Sequence, residues 1–139
     1  MLRMVIAVAS TFASIQVFAM DSIADLEWKN RVVLIFGLPT DARVDHQIEL
    51  LERQTSDLAE RDMVIIRIAG DEARSVYGNF PSPDAGVLRK EAEIIGDTFQ
   101  VVLIGKDGGV KLRSDRVVRN IEIFDLIDSM PMRKKLKND

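Results

Sequence analysis

Long apolar runs alternate with segments whose apolar residues recur at helical spacing. Arg31 to Gly37 (RVVLIFG) is a continuous β-rich run, the pattern of a central strand covered on both faces. It breaks at Gly37-Leu38-Pro39-Thr40-Asp41, where Thr40 or Asp41 is placed to cap a helix. Val44, Ile48, Leu51 and Leu58 then recur at helical spacing, with Thr55 in the same stripe. Asp45, Gln47, Glu49, Glu52, Arg53 and Asp57 make the opposite, polar face, which predicts one helix over about 41–60.

Met63 to Ala69 (MVIIRIA) is a second buried strand ended by Gly70-Asp71, completing a βαβ unit. Asp71 to Pro83 reads as a connection, with Tyr77 to Pro81 as turn material. Ser82-Pro83-Asp84 opens a second helix, with Ser82 as cap. Val87, Leu88, Ile94 and Ile95 form its expected buried side, and Gly96 stops it. Phe99 to Ile104 is a third strand, Lys106-Asp107-Gly108-Gly109 a tight hairpin, and Val110 to Arg113 an edge strand with one wet face. A last helix over about 120–130 turns Ile121, Phe124 and Ile127 inward and ends at Pro131. The order β-α-β-α-β-β-α predicts a single α/β thioredoxin-like domain. Its four-stranded mixed sheet has the expected order 2-1-3-4, with the third strand antiparallel and helices flanking.

The first residues do not fit that domain. Arg3 precedes a charge-free stretch, Val5 to Phe18, with ten apolar residues in fourteen, and Val17-Phe18-Ala19 suits a cleavage site before Met20. We therefore expect a signal peptide over 1–19, a domain over 20–132 and a basic tail over 133–139, in a periplasmic or secreted protein. The apolar run is short for a membrane span, so no transmembrane anchor is expected after cleavage.

Composition narrows the chemistry further. The 139 residues include no cysteine and a lone histidine, His46. Disulfides, thiolate nucleophiles and cysteine-ligated zinc are excluded, and a His-rich metal site is beyond one chain. Residues 1–19 hold one of the 19 basic residues and none of the 22 acidic ones, so the remaining 120 carry a net charge of −4. That mild acidity argues against nucleic acid as a partner. Asp41, Asp45, Glu49 and Glu52 beside His46 read as a solvated helix face, since calcium needs six or more oxygens in a shaped loop. No metal ligand or cofactor is expected.

Four stretches bring a resemblance: Trp28 to Arg31, Leu58 to Asp62, Val102 to Arg113, and Ile127 to Arg133. Through them the chain, over roughly 22–133, resembles a family of small exported bacterial domains of unknown function, related to the thioredoxin-like DUDES domain of animal extracellular proteins. The resemblance implies a thioredoxin-like fold and no established reaction. In thioredoxins and peroxiredoxins a reactive cysteine sits where the first strand meets the first long helix. Here a peroxiredoxin-like Thr-x-x-Cys would become Thr40-x-x-Arg43, and no proline precedes Phe99. Thiol oxidoreduction and thiol peroxidation are excluded.

Two candidate sites remain. A helix N-terminus with Thr40 and Arg43 offers backbone donors, a hydroxyl and a guanidinium to a small anion. The plainer use is capping, with Arg43 paired to Asp41, Asp45 or Gln47. Lys106, Lys111 and Arg113 place cations near an exposed edge, suited to an envelope protein or another acidic partner, or merely to guarding the edge. No catalytic residue is named. The chain reads as a non-catalytic binding or interaction module, and the alternative is a cysteine-independent enzyme at the Thr40–Arg43 corner.

Overall fold

The computed structural model describes residues 21–81, 83–131 and 133, so the expected signal segment and most of the basic tail lie outside the described residues. A 3-10 helix, Asp21–Leu26, leads into β1 (Arg31–Gly37). Then come α1 (Ala42–Glu52), α2 (Thr55–Glu60), β2 (Met63–Ala69) and β3 (Glu72–Tyr77). After α3 (Ala85–Glu91), β4 (Gln100–Ile104) and β5 (Val110–Ser114) pair as a hairpin before α4 (Asn120–Asp128).

The five strands form one sheet in the order β3-β2-β1-β4-β5. β1 runs parallel to β2 and antiparallel to β4. The expected four-stranded sheet is thus corrected to five strands. The added strand, Glu72–Tyr77, folds back on β2 as an antiparallel edge where a plain connection was expected. Ala69 pairs directly with Glu72 across Gly70-Asp71, with Gly70 at φ 60°. Left-handed backbone is accessible to glycine at little cost, which favours so short a turn.

Every residue of β1 is buried, and the period of two sends alternate side chains to opposite faces. Val32, Leu34 and Phe36 pack with Ile23, Leu26 and Leu88, whereas Val33 and Ile35 pack with residues of α1, α2 and α4. The sheet therefore lies between two apolar layers.

The helices depart from expectation in detail. The single long helix is two, separated at Arg53 and Gln54. Leu51 and Leu58 are seven residues apart, so they stay in phase whether or not the helix breaks, and periodicity is blind to the break. Gln47, assigned to the polar face, is fully buried. In α3 Asp84 is the cap, Leu88 is buried, and Val87 and Ile95 are exposed. In α4 Ile123 turns inward and Ile121 outward.

Candidate functional site

β1 ends at Gly37 against α1, where an added Cβ would lie 2.6 Å from Val44 Cγ2. Asp41 caps α1, its carboxylate accepting from the Arg43 backbone N–H at 3.0 Å. The same carboxylate takes the Arg43 side chain, Nη2 to Oδ2 at 2.7 Å and Nε to Oδ1 at 3.0 Å. These side-chain bonds, then the backbone bond, hold the Asp41 carboxyl below the usual carboxylate range, and Arg43 is raised in return. The guanidinium also stacks 4.7 Å above the ring of buried Phe99. Thr40 is an exposed turn residue beside the cap. Arg43 keeps 55% of its side chain exposed, but its charge already has a carboxylate and a ring.

The hairpin cations separate into two positions. Lys106 pairs with Asp62 and Lys111 with Asp107, both at 2.8 Å. Arg113, further along β5, donates to the Gln100 side-chain oxygen at 3.0 Å. Lys106 and Lys111 line one open cavity of about 470 Å³, together with Trp28, Arg31, Met130 and Pro131.

That cavity lies at the foot of the sheet, where β1 begins, β4 ends and α4 finishes. Asp62, at φ 52°, turns its carbonyl toward the Arg31 N–H at 3.0 Å and the Asn30 amide at 3.1 Å. Arg61 grips Asp128 through Nε and Nη2 at 3.1 and 2.9 Å, bonds Asp57, and stacks 4.5 Å over Phe124. Arg133, at the head of the expected tail, is buried and pairs with Glu60 and Asp128.

Arg31 differs from these neighbours. It is 3% exposed, and its Nη1 donates to the Arg61 carbonyl at 3.0 Å. Its Nε has no hydrogen-bond partner, and it forms no ion pair among the described residues. Burial, and then the charge of Arg133, lower its pKa. Sequence reasoning missed Arg31 because it opens an apolar run and reads as the first residue of a strand.

The acidic face of α1 is also placed. Asp45, Glu49 and Glu52 border an open depression of about 490 Å³ opposite Arg67 and Arg74. Among the described residues no group of three or more His, Cys, Asp or Glu side chains is arranged to hold a metal ion. Nor is any helix there long and apolar enough to cross a membrane.

A five-stranded mixed sheet, with a parallel β1–β2 crossover and an antiparallel β4–β5 hairpin, defines a thioredoxin-like domain. Solved structures agree. The reduced 2-Cys peroxiredoxin of Plasmodium vivax superposes with a TM-score of 0.58 at 17% identity, over 81% of this chain and 84% of that one. Plasmodium yoelii thioredoxin peroxidase I gives 0.54 at 18% identity, over 81% and 79%. At such identity the likeness concerns fold alone. Residues 22–135 match the family described as Domain of unknown function (DUF4174), and the chain belongs to that family.

Proposed function

We propose that this chain is an exported, non-catalytic binding module on a thioredoxin-like scaffold, working in the periplasm or outside the cell. Kinship with the DUDES domain belongs to the same reading. The observation that carries it is Arg43 held by Asp41 and stacked on Phe99, at the strand–helix junction where the resemblance puts the nucleophile of thiol enzymes. A cation so engaged is suited to stiffening the corner. An enzyme there would first have to pull Arg43 away from Asp41.

The partner face of this reading is the β4–β5 hairpin, where Lys111 and Arg113 lie two apart on one face of an edge strand. Its partner is an envelope protein with an acidic surface, or a small anionic ligand. The test is capture from an envelope fraction by the parent chain, by Lys111→Glu/Arg113→Glu and by Arg43→Ala. The reading expects one defined partner, lost on charge reversal at the hairpin and kept by Arg43→Ala. Equal capture by all three chains would overturn it.

A further inference from the structure

We propose that the cavity at the foot of the sheet binds a small organic carboxylate with a flat apolar body. Arg31 would take the carboxylate, and Trp28, Met130 and Pro131 the body. This deepens the binding-module reading by naming a ligand chemistry, and it rests on that reading.

The argument begins with charge. Three of the cations at this end of the molecule have carboxylates within ion-pairing distance: Arg61 has Asp57 and Asp128, Arg133 has Glu60 and Asp128, and Lys106 has Asp62. Lys111, across the cavity, has Asp107. Arg31, which lines the cavity and is 3% exposed, has no carboxylate in direct contact among the described residues and feels Asp62 and Asp128 only at longer range. A guanidinium cannot shed its proton at any ordinary pH, so burial leaves a standing positive charge. Its Nε lacks an acceptor. A buried, unsatisfied charged donor is costly unless something supplies the missing oxygen, and a carboxylate is the group the planar fork fits best. The paired lysines leave the rim near neutral, which favours one negative charge over a polyanion.

The aromatic side follows from Trp28. Its backbone is left-handed at φ 67°, and its N–H is fixed to the Lys106 carbonyl at 2.6 Å. The residue is nevertheless 63% exposed while lining the cavity. A large ring held in water beside Met130 and Pro131 offers a stacking surface to a flat apolar group.

Trp28 is the single tryptophan of the chain, so its emission reports on this cavity. The full chain is titrated with phenylacetate and, separately, with neutral phenylacetamide. Saturable change in Trp28 emission is expected with phenylacetate, with affinity at least about tenfold weaker for the amide, the scale of one lost charge-assisted bond. Arg31→Gln should weaken phenylacetate at least about tenfold. Pro131→Glu, at an exposed position on the cavity wall, should do the same by repulsion without touching the buried arginine. Arg43→Ala should bind as the parent does. Equal binding of acid and amide, or unchanged affinity in Pro131→Glu, overturns the proposal. If phenylacetate fails to bind but the envelope partner is still captured and lost on hairpin charge reversal, the cavity assignment falls and the module reading stands.

Discussion

Gln47→Leu tests the polar clamp that joins α1 to the segment entering α4. The Gln47 amide donates to the Val118 carbonyl at 3.0 Å and accepts from the Val118 N–H at 2.7 Å, with all three groups buried. Leucine has similar bulk, so the cavity is small and polar groups dominate the cost. Two bonds vanish, and a buried backbone donor and acceptor are both stranded, at ~1–3 kcal/mol each. Some of that is offset because leucine buries more cheaply than an amide. The net expectation is a loss of about 2–4 kcal/mol, a large fraction of the ~5–15 kcal/mol typical of a whole domain. With a urea slope of ~1–3 kcal/mol per molar, the midpoint should fall by about 1–2 M. The assay is equilibrium urea unfolding followed by Trp28 emission and far-UV circular dichroism. Gln54→Leu, at an exposed position, is the control and should stay within ~0.5 kcal/mol of the parent. A Gln47→Leu midpoint within ~0.3 M of the parent would refute the clamp, because at that slope it leaves under ~1 kcal/mol for two buried bonds.

Three further outcomes follow from the same geometry. Gly37→Ala sets a Cβ 2.6 Å from Val44 Cγ2 and should cost ~1–3 kcal/mol in urea unfolding, with much of it recovered in a Val44→Ala background; equal costs in both backgrounds contradict the contact. Arg61→Ala removes two charge-assisted bonds from Asp128, which keeps Arg133, and bares Phe124 at the foot of the sheet, so a loss of ~2–4 kcal/mol is expected by the same assay, whereas a change under ~1 kcal/mol means the network is ornamental. Asp41 is held below its usual range by Arg43, and Asp107 by Lys111 and then the Gly109 N–H. Their contribution to stability is therefore full above ~pH 5 and lost as pH falls through the folded values, below the ordinary ~3.9. Melting temperature between pH 5 and pH 2 should decline less steeply in Asp41→Asn/Asp107→Asn than in the parent, and parallel declines would contradict the assignment.

The parts of the fold visible in sequence were those written in long apolar runs. RVVLIFG and MVIIRIA announce strands buried on both faces because each is short, rich in Val and Ile, and closed by a glycine turn. β3 escaped because its residues, EARSVY, bury one apolar side chain fully, Ala73, as suits an edge with a single neighbour. Its signal was in the turn, since Gly70-Asp71 between Ala69 and Glu72 is a two-residue hairpin loop. Val87 and Ile121 were turned the wrong way because helices of seven and nine residues carry too few apolar positions to fix a face. Gln47 was hidden for a different reason. Its partner, Val118, is 71 residues away, and a glutamine buried by a distant backbone looks on paper like one facing water. The cavity was half visible. Lys106 and Lys111 were singled out from the hairpin, but Arg31 joins them only because β1 starts where β4 ends.

The corner and the hairpin make opposite claims on function, and one comparison separates them directly. Quantitative retention of the envelope partner by Arg43→Ala and by Lys111→Glu/Arg113→Glu should leave the first near the parent and reduce the second at least about tenfold, the effect of reversing two charges at an interface. Loss in Arg43→Ala with full retention by the hairpin variant would return the working surface to the Thr40–Arg43 corner and contradict this account.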